Sequence, residues 1–270
     1  MNYNFQDQVV VITGGGGGIG KASARRFLSE GARVVLSGTR AAVLEEAQRE
    51  IDPSGERTLA HAGHITTQEQ AGTLVERAID RFGAVDVLVN STGIFRPVPF
   101  TDQTEEHLEE ALASILRPTF WVSQAVVEPM RERGGGAIVN VGSMWALDAI
   151  TATPTSAYSA AQAGRHSLTK NLAIELAPHA IRVNTVALAF VETPAYERFM
   201  TPDEARDVLD SVNRFHPLGR HGQPADVVEA ILFYASDRAG WITGTTMPID
   251  GGVLAGRNAP PAPVAEPAAA

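Results

Sequence analysis

The chain has 270 residues, 44 % of them apolar, and a formal net charge of −9, enough for one large core or two small ones with no internal linker between them. An acidic balance without clustered Lys and Arg excludes nucleic acid and anionic membrane surfaces as expected partners. The absence of cysteine excludes disulfides, thiolate nucleophiles and Cys-based zinc sites and fits a reducing compartment.

The start, Met1 to Gln6, lacks the basic and apolar regions of a signal peptide, and no stretch nears the roughly 18 apolar residues of a membrane span, so a cytoplasmic protein is expected. Next comes VVVITGGGGGIG, from Val9 to Gly20. A short β-branched run breaks into glycines and enters an amphipathic helix near Ile19, the form of a strand feeding a helix through a turn that holds a phosphate. Glycines allow positive φ and remove the Cβ that would keep a diphosphate away, while the helix N-terminus attracts it. The alternative is a flexible linker, but a linker has no reason to sit between a buried strand and a helix.

Strand and helix patterns then alternate to the end of the chain, which predicts an α/β fold: a Rossmann-type, doubly wound parallel sheet of seven strands in one domain. Strands are expected at Gln8 to Ile12, Arg33 to Ser37, Thr58 to Ala62, Val85 to Asn90, Ala137 to Val141, Ile181 to Val186 and Thr245 to Ile249. Most read as continuously apolar, as strands covered on both faces do. Helices are expected at Ile19 to Glu30, Ala41 to Ile51, Gln68 to Phe82, a pair over Glu105 to Arg133, Ser156 to Ala177 and Ala225 to Ser236, the last with Pro224 in its first turn. Residues 190–220 break the alternation and read as a lid over the substrate. The domain runs over residues 1–255, and the Pro/Ala-rich segment 256–270 is expected to be disordered.

Ligands of such sheets sit beyond the carboxyl ends of the strands. Chemistry is therefore expected at Thr13 to Gly20, Gly38 to Arg40, Asn90 to Gly93, Gly142 to Ser143 and Ala187 to Thr193. Those places hold Thr13-Gly14-x-x-x-Gly18-Ile19-Gly20, Asn90-Ser91-Thr92-Gly93 and Ser143, joined by Tyr158, Ile181-Arg182-Val183-Asn184 and Asp250-Gly251-Gly252. This ordered series resembles the short-chain dehydrogenase/reductase family over residues 6–255. The resemblance implies that Ser143 holds a substrate carbonyl and that Tyr158 moves a proton while a nicotinamide transfers hydride. A phenol within reach of a carbonyl oxygen can act as general acid, with a neighbouring hydroxyl fixing the oxygen's orientation.

The pattern fails at four places. The family's lysine, four residues after the tyrosine, binds the ribose and lowers the phenol pKa; here it is Gln162, which can hydrogen-bond but carries no charge. With a pKa of about 10 for a free phenol, Tyr158 is expected to stay protonated at neutral pH unless another cation or dipole intervenes, so carbonyl reduction should suffer less than alcohol oxidation. Ile115 stands at the position of an asparagine that anchors a relay water, Leu188-Ala189 replaces a Pro-Gly pair that shapes the nicotinamide pocket, and His64 replaces an aspartate that meets the adenine.

By the same resemblance, Gly14, Gly18, Ile19, Gly20, Thr39, Arg40, Asn90, Gly93, Tyr158, Gln162, Val191 and Thr193 are expected to bind cofactor. Ser37-Gly38-Thr39-Arg40 has no carboxylate to repel a 2′-phosphate, so NADP(H) is expected ahead of NAD(H); Arg40 could instead simply open a solvated helix, and Thr193 could cap a lid helix. Trp145 is a candidate lining for the substrate pocket. Phe120 and Trp121 read as packing residues, and His166, His216 and His221 lack metal-ligand spacing, so no metal is expected. Family likeness across Glu105 to Arg133 and Ser156 to Ala177 implies a homotetramer. The leading function is NADP(H)-dependent reduction of a small or medium ketone; the alternatives are a non-redox isomerase, cyclase or lyase using Ser143 and Tyr158 as acid and base, or a catalytically silent homologue.

Overall fold

Aliphatic runs form the centre of the molecule. The computed structural model describes residues 3–150, 153–194, 196 and 200–256, so the expectation for the C-terminal segment falls almost wholly outside the described residues. Val9–Thr13 (β1), Val87–Asn90 (β4) and most of Gly136–Ser143 (β5) are buried on both faces, as parallel strands between helical layers must be. With Arg33–Gly38 (β2), Thr58–Ala62 (β3), Ile181–Leu188 (β6) and Thr246–Ile249 (β7) they form one parallel sheet in the order β3-β2-β1-β4-β5-β6-β7. The order reverses between β1 and β4, which opens a crevice at their carboxyl ends.

Gly18–Ser29 (α1), Ala41–Ile51 (α2) and Pro224–Ala235 (α8) cover one side, and Gln68–Phe82 (α3), Arg117–Glu132 (α5) and Ser156–Leu176 (α6) cover the other. Helix α3 opens on a capping box between Thr67 and Gln70, and α8 opens on Gln223, whose backbone N–H donates to Asp226 at 2.7 Å, with Pro224 as first helical residue.

The expected helix pair is Glu105–Ala111 (α4) and α5, joined without a break by a π-helical turn, Leu112–Leu116. Pro118 has no N–H to give the Ser114 carbonyl, and its ring crowds that carbonyl, so the ladder slips register here. Strand β6 runs two residues beyond expectation because Leu188 can keep pairing, with Ser143 on one side and Ile249 on the other. In the lid, Pro202–Ser211 (α7) is capped by Thr201 in a box with Glu204, so Thr193 is not the cap of that helix.

Candidate active site

The carboxyl ends of β1, β4, β5 and β6 share one edge of the sheet. A Cβ on Gly20 would stand 2.2 Å from the Gly14 carbonyl oxygen, one on Gly18 would stand 2.8 Å from Thr193 Cβ, and one on Gly14, whose φ is +70°, would stand 2.8 Å from the Ser91 carbonyl oxygen. The turn is thus bare backbone pressed between the end of β4 and the root of the lid, and only glycine fits. Helix α1 begins at Gly18 with neither a side-chain cap nor an acidic residue in its first turn, leaving its dipole and leading N–H groups to an anion. The Ile19 side chain is buried in the core, so its part is the backbone's. Thr39 and Arg40 lie exposed just past β2, where a ribose edge would come; His64, past β3, is exposed too. Val191 bridges to Gly222 and is buried.

Asn90 also has a structural part. Its Nδ2 donates to Asn140 Oδ1 at 2.9 Å and Ser123 Oγ at 3.1 Å. Asn140 donates in turn to Thr169 Oγ1 at 2.8 Å, and Thr169 meets the Thr185 hydroxyl at 2.7 Å. That buried ladder ties β4, β5, α6 and β6 together, so the Asn90 amide nitrogen braces the sheet, while its Oδ1 is buried without a partner. Ile115 is likewise structural in its side chain, packed with Ala157 and Ala161.

Helix α6 presents Tyr158 and Gln162 one turn apart, and Gln162 Nε2 donates to the Tyr158 hydroxyl at 3.1 Å. Because the phenol oxygen accepts that bond, its own proton is free to point elsewhere. Burial pushes the phenol pKa up, while the Ser143 and Gln162 side chains and the Arg165 charge pull it down. Ser143 is thus near enough to the phenol to act on it. Gln162 is 3 % exposed; its Oε1, like Thr92 Oγ1, is buried without a partner. A methyl on Gly93 would lie 3.9 Å from Gln162 Nε2, so both orphaned oxygens sit by the same loop. The glycine cradle and these two oxygens fit the diphosphate and ribose of a dinucleotide.

Above Tyr158, Phe95 stacks edge-on at 5.1 Å and contacts Trp145 at 5.3 Å, and Trp145 meets Phe190 at 5.0 Å. Met144, Leu209 and Tyr196 complete this apolar group. The indole Nε1 of Trp145 is buried with no partner.

Residues 15–254 match a family model described as enoyl-(acyl carrier protein) reductase. The chain belongs to the short-chain dehydrogenase/reductase family. This dehydrogenase/reductase is 36 % identical over 251 residues to a 3-oxoacyl-[acyl-carrier-protein] reductase of Thermotoga maritima, covering 93 % of this chain and 99 % of that one. It is 34 % identical over 256 residues to the cis-4-hydroxycyclohexanecarboxylate dehydrogenase of Sinomonas cyclohexanicum, covering 94 % and 100 %. Among solved structures it resembles ElxO with NADP bound, with a TM-score of 0.84 and 27 % identity over 92 % of this chain and 99 % of that one. As a member of the family it is an oxidoreductase scaffold for nicotinamide nucleotides, and among the described residues no helix is long and apolar enough to cross a membrane.

Arg165 went unnoticed in the sequence. It lies on the same helix face as Tyr158, is 1 % exposed, and binds the backbone around the crevice. A charged residue deep inside a helix whose apolar stripe is weak reads as surface, and only the packing of α6 against β5 and the π turn reveals it.

Proposed function

We propose that this protein is an NADP(H)-dependent reductase that converts a small or medium ketone to an alcohol. The carrying observation is the phenol of Tyr158, held protonated by burial and turned forward by the bond from Gln162, beside the Ser143 hydroxyl. A bound nicotinamide would supply the hydride. Ser143 would orient the carbonyl oxygen and Tyr158 would donate the proton. Gly14, Gly18, Ile19 and Gly20 would cradle the diphosphate, Thr193 would close over it, and Gln162 and Gly93 would meet the ribose of the nicotinamide.

NADP over NAD rests on Thr39 and Arg40, exposed past β2 with no carboxylate beside them in the sequence, and on the NADP of the neighbour ElxO. The aromatic group around Trp145 favours an apolar, ring-sized substrate body, in keeping with the cyclohexane ring named in one relative. Exposed Leu108, Phe120, Ile174 and Trp241 favour a homo-oligomer, a tetramer in this reading, and the lack of cysteine favours the cytoplasm. The test is a fluorescence titration with NADPH and NADH, followed by NADPH consumption on a panel of cyclic and open-chain ketones. Absence of NADPH binding at millimolar concentration sinks this reading and leaves the non-redox and silent alternatives.

A further inference from the structure

Tyr158, Gln162 and Arg165 stand at i, i+4 and i+7 of α6, one above the next on a single face. The Arg165 guanidinium is held wholly by neutral oxygens. Nε donates to Thr119 Oγ1 at 2.9 Å, Nη2 to the carbonyls of Thr92 at 2.7 Å and Ile115 at 3.1 Å, and Nη1 to the carbonyl of Val141. Among the described residues no carboxylate pairs with it. A buried charge is costly, and the usual remedy is a counter-charge. Here the fold supplies four acceptors and leaves the positive potential uncancelled, two turns along the helix from Tyr158 and within electrostatic reach of its phenol.

The acceptors themselves come from the crevice. Thr92 is in the loop after β4 that carries Gly93, and the Ile115 carbonyl belongs to the π turn, where it accepts from Arg165 and, at 2.6 Å, from Thr119 Oγ1. Gln162 lies between the two ends: its Nε2 touches the phenol, and its position is three residues from Arg165.

We propose that Arg165 is a positioning residue of the reaction centre, carrying the positive charge that Gln162 lacks one turn farther along α6 and stabilising negative charge on the Tyr158 oxygen. This rests on the reading of Tyr158 as the proton-transfer group. Burial lowers the Arg165 pKa, but a guanidinium, whose ordinary value lies above about 12, keeps its charge through the range in which a phenol ionises. Its field also reaches His166, the next residue, whose pKa it helps to depress. The other ionisable groups around Tyr158 do not substitute for it. Arg96 and Glu110 pair with each other at 3.1 Å on the outer rim with His107, and Tyr196 of the lid, held protonated by burial and by Tyr158 itself, adds no positive charge.

The test is a spectroscopic titration of tyrosine ionisation in the full chain without nucleotide or substrate, the Tyr158 component taken as the difference from Tyr158→Phe. Arg165→Met and Arg165→Gln remove the charge, the second keeping part of the hydrogen bonding. Folding is checked by circular dichroism. Both variants are expected to move the Tyr158 midpoint up by about one pH unit, a tenfold loss of phenolate at fixed pH. A variant that folds and titrates with the wild type overturns the proposal, as does Arg165→Gln shifting the midpoint far less than Arg165→Met, which would make Arg165 a brace for the loop and π turn. Because no nucleotide is present, failure here is distinct from failure of NADPH to bind, which would remove the redox reading instead.

Discussion

His166 Nε2 accepts the backbone N–H of Ser143 across 3.2 Å. The ring must be neutral to do so, and burial, then Arg165 and Lys170, push its pKa down to about 4. Because the folded value lies below the unfolded one, His166 costs nothing above about pH 6.5; as pH falls from there to about 4, the unfolded chain takes up a proton that the folded chain refuses. Stability should therefore drop across that window by at most about 3 kcal/mol, given 1.36 kcal/mol per unit. Urea unfolding of wild type and His166→Gln at about pH 7.5 and pH 5 measures it. An equal loss in both proteins would show that other groups cause it.

Gln162→Lys puts an ammonium directly on the phenol, so the phenolate needed for alcohol oxidation should become more abundant. Oxidation is expected to rise roughly tenfold, corresponding to one unit of pKa, and reduction less. The new ammonium would also stand one turn from the charge of Arg165 on the same helix, so the gain should be larger when Arg165→Met accompanies it than in the single variant. Rates of the two singles and the double, compared as a cycle, test this, and strict additivity would contradict it.

Two glycines separate a functional constraint from a stability cost. A Cβ on Gly20 would meet the Gly14 carbonyl oxygen at 2.2 Å, whereas one on Gly72, inside α3, meets nothing within 4 Å. Gly20→Ala must open the turn and should abolish NADPH binding. Gly72→Ala should stabilise the protein by roughly 0.5–1 kcal/mol, the helix preference of alanine, seen as a small rise in melting temperature with nucleotide affinity unchanged. Retained NADPH affinity in Gly20→Ala would show that the cradle does not hold the diphosphate.

Most of this architecture was legible because its signals are local. Helices α2 and α3 and strand β3 fall on their expected bounds, since apolar periodicity and the Thr67 cap act within a few residues. The glycine turn, Ser143 and Tyr158 were legible as an ordered series. What escaped depends on contacts distant in sequence. Asn90 reads only as a crevice residue, and its bonds to Asn140 and Ser123 show that its nitrogen also braces the strands. Arg165 reads as one more helical charge until Thr92, Ile115 and Val141, from separate elements, close around it. The π turn depends on a single proline within an otherwise regular helical pattern.

Arg40 opens α2 without a side-chain cap bond, at the point where a 2′-phosphate would lie. Replacing it with aspartate introduces the charge that repels a phosphate and suits a 2′-hydroxyl. Affinity for NADPH should fall by at least tenfold while that for NADH holds or rises, as read by fluorescence titration. Unchanged preference would mean that Arg40 only begins the helix.

The Trp145 indole N–H is buried and unpartnered in an otherwise apolar group with Phe95 and Phe190. A buried donor left unpaired costs about 1–3 kcal/mol, and a substrate bearing an acceptor at the right distance from its ketone would recover part of that. Trp145→Phe keeps an aromatic ring and removes the donor. For a cyclic ketone carrying a second oxygen, KM should rise by up to roughly 100-fold, part of the equivalent of that cost, while the unsubstituted ring ketone should bind the variant as well as the wild type. Equal effects on both substrates would assign Trp145 to packing alone, because loss of shape is felt by every ring and loss of a donor only by the ring that needs it.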